Sequence, residues 1–280
     1  MPIPFTIPVG TEERLIRGDL FLPESNGRVP VIIICHGFKG FKDWGFFPYA
    51  AESLASSRFA VITFNFSMNG VGEDLLNFTQ LDRFARNTFS REQEDLQILL
   101  QTLHAGTLPE SERLNLAQCG LIGHSRGGGN ALLFALNHDS IRAVTTWNSI
   151  AQLDLFPPAL KEEIYRNGVG TIYNARTKQD MPIDLEVLKD LDYNKKSFDL
   201  LSRLPSYPHP LLFIHGEDDT SVPATAARQL YNVSPHASLH MIAGADHVFG
   251  CSHPFQGSTP MLEEAIAETA SFMKKQLTSI

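Results

Sequence analysis

The sequence lacks the features that mark three large classes of protein. No apolar run approaches the roughly 20 residues that a membrane-spanning helix needs. The three cysteines cannot all pair within one chain, and Cys35 and Cys119 lie in apolar runs typical of buried strands, so no disulfide framework is expected. Lysine and arginine number 23 against 31 aspartates and glutamates, a formal charge of −8. A basic face for nucleic acid is therefore not expected either.

Metal ligands and targeting signals are also scarce. The histidines are scattered, with no cysteine or carboxylate at ligand spacing, so we expect neither a metal nor a cofactor. Residues 1–10 lack the basic stretch and the apolar segment of a secretory signal, which predicts a cytoplasmic protein. The hydrophobic share of 43% is far above that of disordered chains. We expect one folded domain over residues 1–280.

Short apolar runs separated by helical patterns indicate the fold class. Residues 31–34 and 211–214 are apolar at consecutive positions, so both faces of these strands must be covered, as in a mostly parallel sheet. Strand, helix, strand repetition implies right-handed crossovers. The prediction is an α/β fold with a doubly wound sheet flanked by helices. Its strands are predicted at residues 14–22, 29–35, 59–66, 120–123, 143–147, 211–214 and 238–242.

Helix starts are predicted from capping patterns. Ser90 with Gln93 forms a capping-box pattern ahead of leucines at three- and four-residue steps. Thr259 and Pro260 predict the start of a C-terminal helix, whose buried stripe would contain Leu262, Ile266, Thr269 and Met273. Asp43 is expected to cap a helix that follows the apolar run at residues 29–35.

Two stretches do not fit the alternation of strands and helices. Residues 67–88 form a long connection, and long structured loops in compact domains are more often functional than idle. Residues 151–206 separate two predicted strands by far more than one crossover helix. We interpret the second stretch as an inserted cap; the alternative is a helical excursion with no role in substrate binding.

A glycine-serine-glycine pattern marks a candidate nucleophile. Gly123, Ser125 and Gly127 form G-x-S-x-G between an apolar strand and a helical run. A serine on a sharp strand-to-helix turn has strained backbone angles, and the residues two before and two after must be small. The amides at the start of the following helix would favour negative charge there. The alternative is a glycine-rich turn that only packs helix on strand.

A serine hydroxyl needs an adjacent base, normally a histidine held by a carboxylate. The strand at 211–214 ends in a glycine turn followed by Glu217, Asp218 and Asp219. The loop after the strand at 238–242 carries His247. The residue pattern alone leaves both aspartates open as the acid.

At these residues the chain resembles the α/β-hydrolase superfamily, in which nucleophile, acid and histidine follow in that order on loops after successive strands. The family's His-Gly-x-x-Asp-x-x-Val-Pro element is matched by His215, Gly216, Asp219, Val222 and Pro223. The resemblance implies Asp219 as the acid, with Asp218 as the alternative if the turn shifts by one residue.

The same resemblance extends to the histidine and to an oxyanion hole. Gly244, His247 and Phe249 match the family's Gly-x-x-His-x-Phe element. Acyl transfer needs two N–H donors, normally one after the nucleophile and one after an early strand. Arg126 would supply the first. The turn of His36, Gly37 and Phe38 resembles the family's His-Gly-x turn, which implies the Phe38 N–H as the second and a structural role for His36.

Within the superfamily, Leu15, Gly18, Leu20 and Pro23, together with the turn at residues 36–38, resemble dienelactone-hydrolase-like and feruloyl or cinnamoyl esterase-like enzymes. Dienelactone hydrolases proper use a cysteine nucleophile, whereas a serine stands here, so a lactone specificity is not expected. The implied function is a carboxylesterase cleaving small acyl or aromatic esters through an acyl-enzyme. Alternatives are a thioesterase, an acyltransferase or a small-peptide hydrolase with the same triad, or a noncatalytic ligand-binding module.

The remaining expectations concern aromatic and histidine side chains. An aromatic cluster just after the turn at residues 36–38 would form either a pocket wall or core packing. His124 is expected to pack beside the nucleophile, and His236, His240 and His253 to lie on the surface or in loops. The aromatic cluster consists of Phe38, Phe41, Trp44, Phe46 and Phe47.

Overall fold

A computed structural model describes residues 1–10, 13–24 and 27–278. The strands in these ranges are β1 (Ile3–Val9), β2 (Arg14–Phe21), β3 (Val29–Cys35), β4 (Ala60–Asn65), β5 (Leu114–His124), β6 (Ile141–Trp147), β7 (Val169–Asn174), β8 (Gln179–Asp184), β9 (Leu211–Gly216) and β10 (Ala237–Ile242). Eight of them form one sheet in the order β1-β2-β4-β3-β5-β6-β9-β10. β1 and β2 are antiparallel to their neighbours, and the other pairs are parallel.

Helices cover both faces of this sheet. They are α1 (Phe47–Ser56), α2 (Leu81–Ala85), α3 (Phe89–His104), α4 (Arg126–Ala135), α5 (Pro158–Asn167), α6 (Leu185–Tyr193), α7 (Leu200–Arg203), α8 (Thr225–Val233) and α9 (Pro260–Thr278). In the described ranges no helix is both long enough and apolar enough to cross a bilayer.

The two faces of the sheet bury separate apolar cores. α1 and α9 pack over Ile32 and Ile34, whereas α3, α4 and α8 pack over Val31 and Ile33. Consecutive residues of β3 thus enter opposite cores, which explains its unbroken apolar run. The predicted α/β sheet with helices on both faces is confirmed.

All seven predicted strands are present, and three further strands were missed. β5 begins at Leu114, because its first residues alternate in polarity and gave no continuous apolar run. β1 is an edge strand containing Pro4 and Pro8, residues that weaken a strand pattern. β7 and β8 pair only with each other and are half exposed. Cys35, Cys119 and Cys251 are buried free thiols.

Two predicted caps were wrong. α3 begins at Phe89, and its cap is Thr88, whose Oγ1 accepts a hydrogen bond from the Arg91 N–H at 3.1 Å. Ser90 lies inside the first turn of α3, and its hydroxyl donates a hydrogen bond to the Asp190 carboxylate in α6 instead. Asp43 caps nothing; its carboxylate pairs with the Lys42 ammonium at 2.7 Å.

The cap predicted for α9 is confirmed. Thr259 Oγ1 accepts a hydrogen bond from the Leu262 N–H at 3.1 Å, and Pro260 is the first helical residue. The expected stripe of Leu262, Ile266, Thr269 and Met273 is buried against the sheet.

The two irregular stretches lie beside each other. Residues 67–88 contain α2, and residues 151–206 contain α5, the hairpin of β7 and β8, α6 and α7. The hairpin packs on α2, and the Gln179 side chain donates a hydrogen bond to the Phe78 carbonyl at 3.2 Å. The loop of the hairpin, residues 175–178, reaches the carboxyl end of the central sheet, where Arg176 faces the turn after β3.

One hydrogen bond joins α9 to the sheet and gives a stability prediction. Thr269 Oγ1 accepts from the Trp147 indole N–H at 2.9 Å, and both side chains are fully buried. Thr269→Val leaves that donor unpaired, so we expect the free energy of unfolding to fall by about 1–3 kcal/mol in urea denaturation. Thr278→Val, on the exposed end of the same helix, is the control. Equal midpoints for the two variants would contradict the assignment.

Candidate active site

Ser125 occupies the sharp turn between β5 and α4. Its φ is +56° and its ψ is −122°, a conformation that a non-glycine residue rarely adopts. A Cβ added to Gly123 would lie 2.2 Å from the Gly127 carbonyl oxygen, and one added to Gly127 would lie 2.2 Å from the Cys35 carbonyl oxygen. Both positions therefore exclude any larger residue.

Ser125, His247 and Asp219 form one chain of hydrogen bonds. His247 Nε2 lies 3.0 Å from Ser125 Oγ, and His247 Nδ1 lies 2.7 Å from Asp219 Oδ2. Asp219 is buried, whereas Asp218 and Glu217 are exposed and make no contact with the histidine. In this geometry Nδ1–H donates to the carboxylate, which leaves Nε2 free to accept the serine proton.

The Asp219 carboxylate is held as an anion. Burial alone would raise its pKa, but the hydrogen bond from His247 and those from the N–H groups of Val222 and Ser221, both 2.8 Å, outweigh that effect. The pKa of Asp219 consequently lies below its ordinary value. His215, beside it, donates Nε2–H to the Val222 carbonyl at 2.8 Å, and burial lowers its pKa.

Two side chains position the backbone of His247. His124 Nε2–H donates to the His247 carbonyl at 2.8 Å, and burial together with the nearby His247 lowers the His124 pKa to about 3. The Asn148 amide donates to the same carbonyl at 2.9 Å, while its side-chain oxygen accepts from the Gly216 N–H at 2.8 Å. Asn148 thus ties the loop of the acid to the loop of the histidine. Sequence reasoning missed it, although a polar residue directly after a parallel strand is a usable signal.

The turn after β3 lies against Ser125. A Cβ added to Gly37 would lie 3.1 Å from the Ser125 Cβ. His36 Nδ1–H donates to the Gly37 carbonyl at 3.0 Å, and burial lowers the His36 pKa to about 4, so it is neutral. Within the described ranges, no backbone or side-chain acceptor is found for the N–H groups of Phe38 and Arg126. These are the two N–H groups that the sequence analysis expects to form an oxyanion hole.

A buried ion pair lies behind the Arg126 backbone. The Arg126 guanidinium and the Glu92 carboxylate are 3.0 Å apart, and their side chains are 2% and 3% exposed. Asn130 Nδ2 also donates to Glu92, at 2.7 Å, and the guanidinium stacks 3.7 Å from the centre of the Phe89 ring. Sequence analysis did not find Glu92, because its partner is brought to it only by the packing of α3 on α4.

A cavity of about 220 Å³ opens over Ser125. Phe38, Trp44 and Phe47 contribute to its wall, whereas Phe41 and Phe46 are wholly buried core residues. The aromatic cluster is therefore partly pocket and partly core. The cavity is also lined by polar side chains, namely Lys39, Asn174 and Arg176 together with His124 and His247.

The buried ion pair gives the second prediction. Glu92→Gln leaves the buried Arg126 charge without a counter-ion, so we expect the free energy of unfolding to fall by about 3–5 kcal/mol in chemical denaturation. Glu186→Gln removes a partner of Arg91 from a half-exposed pair 2.8 Å long, and should cost at most about 1 kcal/mol. Similar losses for the two variants would refute a special role for the buried pair.

Solved structures with the same overall architecture cover nearly the whole chain. Est1E from Butyrivibrio proteoclasticus with ferulic acid bound is 19% identical, with a TM-score of 0.69 over 98% of this chain and 100% of that chain. The α/β hydrolase GrgF from Penicillium sp. sh18 is 17% identical, with a TM-score of 0.72 over 100% of both chains. The esterase domain of a Rhodothermus marinus protein is 20% identical, with a TM-score of 0.64 over 98% and 97%. At these identities the likeness is one of fold.

Sequence comparison gives the family. A search of curated protein sequences finds no match. The sequence model of the family described as "alpha/beta hydrolase fold" matches residues 30–181, which include β3 to β6 and the Ser125 turn. The resemblance drawn from the motifs is thereby confirmed, and the chain belongs to the α/β hydrolase family.

Proposed function

We propose that this chain is a serine carboxylesterase that cleaves small acyl or aromatic esters. Membership of the α/β hydrolase family supports a hydrolase in general. The observation that carries the finer proposal is the unbroken chain of hydrogen bonds from Ser125 Oγ through His247 to Asp219. Fold alone would not be enough, because the same fold serves many functions.

The proposed reaction begins when His247 Nε2 takes the Ser125 proton as Oγ attacks the ester carbonyl. The carbonyl oxygen becomes an anion, which the N–H groups of Phe38 and Arg126 bind. Asp219 remains charged and stabilises the imidazolium. His247 then passes its proton to the leaving alcohol, and an acyl-Ser125 ester remains. Water, activated by the same histidine, attacks this ester and releases the acid.

Residues 151–206 act as a cap in this proposal. Asn174 and Arg176, at the loop of the β7–β8 hairpin, line the cavity over Ser125 together with the turn after β3. The hairpin packs against α2, which lies in the other irregular stretch, residues 67–88. A substrate in the cavity would therefore be enclosed on one side by the core domain and on the other by the cap.

Ester substrates are supported by two of the similar structures. The Rhodothermus marinus structure is named an esterase domain, and Est1E was solved with ferulic acid, an aromatic acid. The aromatic wall formed by Phe38, Trp44 and Phe47 suits a small aromatic or aliphatic group in the same place. These names describe other proteins, and they favour an ester substrate for this chain.

Labelling and substitution test the triad. A fluorophosphonate probe should modify Ser125, and Ser125→Ala should abolish both labelling and ester hydrolysis. Asp219→Asn should lower kcat by about 10⁴-fold, because His247 loses the carboxylate that fixes its tautomer. Asp218→Asn, an exposed neighbour, is the matched control and should retain wild-type kcat. Hydrolysis by Ser125→Ala, or equal rates for the two asparagine variants, would contradict the proposed roles.

Acyl chain length tests the size of the site. A cavity of about 220 Å³ lies below the usual range for drug-sized ligands. We expect kcat/KM for p-nitrophenyl acetate and butyrate to exceed that for the palmitate ester by at least about tenfold, since a long chain would have to remain outside. The palmitate assay is run below its aggregation threshold. Fastest turnover of palmitate would refute the size limit.

A further inference from the structure

Two positively charged side chains face the cavity without a counter-ion. The Lys39 ammonium donates a hydrogen bond to the Tyr173 carbonyl at 3.4 Å. The Arg176 guanidinium lies 5.4 Å from the centre of the Phe41 ring and 5.7 Å from that of Phe78. Among the described residues no carboxylate lies within 4 Å of either cation. No aspartate or glutamate lines the cavity.

The protein has a formal charge of −8, yet none of its described carboxylates pairs with Lys39 or Arg176. The buried cations Lys42 and Arg126, by contrast, are paired with Asp19 and Glu92. Lys39 is half-buried and Arg176 is exposed. Burial and the neighbouring Arg176 charge both lower the pKa of Lys39. Two like charges therefore line one cavity, an arrangement that a bound anion would stabilise.

A third polar residue that lines the same cavity, Asn174, has a side-chain donor without an acceptor among the described residues. Asn174 is 5% exposed, and its side-chain oxygen accepts from the Arg176 N–H at 3.3 Å. That hydrogen bond identifies the oxygen of the side-chain amide, so the remaining atom is the nitrogen, Nδ2. Nδ2 has no acceptor among the described residues. A buried donor without a partner is unfavourable. An acceptor atom on a ligand in the cavity would complete the hydrogen bonding of Asn174.

We propose that the esters cleaved here carry a carboxylate, which Lys39 and Arg176 bind as an ion pair and Asn174 binds through its amide. The inference rests on the proposed esterase function and narrows its substrate class. A carboxylate suits these groups because the planar guanidinium and the amide can both donate to its oxygens, and because the aromatic residues Phe38, Trp44 and Phe47, which line the same cavity, suit an uncharged linker. The cap thereby determines specificity, and the core domain performs the chemistry.

Matched ester pairs test this substrate class. In the first pair, 4-acetoxybenzoate carries a carboxylate on the alcohol side of the ester, and methyl 4-acetoxybenzoate is neutral. In the second pair, monophenyl adipate carries a carboxylate on the acyl side, and phenyl hexanoate is neutral. We expect kcat/KM for the charged member to be at least about tenfold higher in one pair. In the first pair the neutral ester is intrinsically more reactive, because a carboxylate is a weaker electron-withdrawing substituent than a methyl ester. Intrinsic reactivity therefore cannot produce the expected preference for the charged ester. A ratio at or below one in both pairs would overturn the proposal.

Substitutions locate the preference. Arg176→Met and Lys39→Met keep an unbranched apolar stem and remove the charge, so the ratio of charged to neutral kcat/KM should fall toward one. Lys178→Met is the matched control, because Lys178 is exposed in the same hairpin loop, has a positive φ of 56° like that of Lys39 at 55°, and does not line the cavity. A ratio that falls equally in the control, or that persists in Arg176→Met, would overturn the assignment.

A binding measurement separates this inference from the esterase proposal. Calorimetry on the Ser125→Ala variant measures the affinity for both members of each pair. In at least one pair, 4-acetoxybenzoate with its methyl ester or monophenyl adipate with phenyl hexanoate, the charged ester should bind at least about tenfold more tightly than the neutral one. Adding Arg176→Met should remove the difference. If the wild-type protein hydrolyses no ester, the esterase proposal fails while this comparison still decides the anion site. If neutral esters are hydrolysed and no anion preference is found by either method, only the inference of this section fails.

Discussion

The close approach of three backbone segments at the turn between β5 and α4 underlies the whole site. Gly127 lies against the carbonyl of Cys35, the last residue of β3, and Gly123 lies against Gly127. This contact forces the chain through a positive φ at Ser125 and presents its hydroxyl above the sheet. The same contact places the turn after β3 beside the serine, with Gly37 close to its Cβ. The positions of Ser125 and of the turn after β3 therefore depend on one packing arrangement.

The parallel sheet supplies the other groups through its common edge. β5, β6, β9 and β10 are neighbours, so the loops at their carboxyl ends lie side by side. Those loops carry Ser125, Asn148, Asp219 and His247 in the order of the strands. Asn148 bonds to both flanking loops, which fixes the separation of the acid and the histidine. The geometry is thus set by hydrogen bonds to the main chain and does not rely on the side chains of Ser125, His247 and Asp219 alone.

Sequence patterns predicted the sheet and most of the candidate site because these features depend on local residue order. A strand buried on both faces is apolar throughout, and a strained turn requires glycine at fixed positions. The Thr88 cap was missed because Thr88 and Ser90 are both suitable cap residues, and only the course of the chain selects one. Glu92 and Asn148 were missed because their partners are distant in sequence. The β7–β8 hairpin was missed because a half-exposed two-stranded sheet leaves a weak apolar pattern.

The charges around Ser125 are arranged so that proton transfer leads to an ion pair. Burial lowers the pKa of both His124 and His215, so these neighbours remain neutral and add no positive charge beside the proposed base. In the proposed reaction, the positive charge that forms on His247 during attack would lie against the Asp219 anion. Lys39 and Arg176 line the same cavity and would oppose a second cation there. A carboxylate on the substrate would neutralise them, so anion binding and formation of the imidazolium would favour each other.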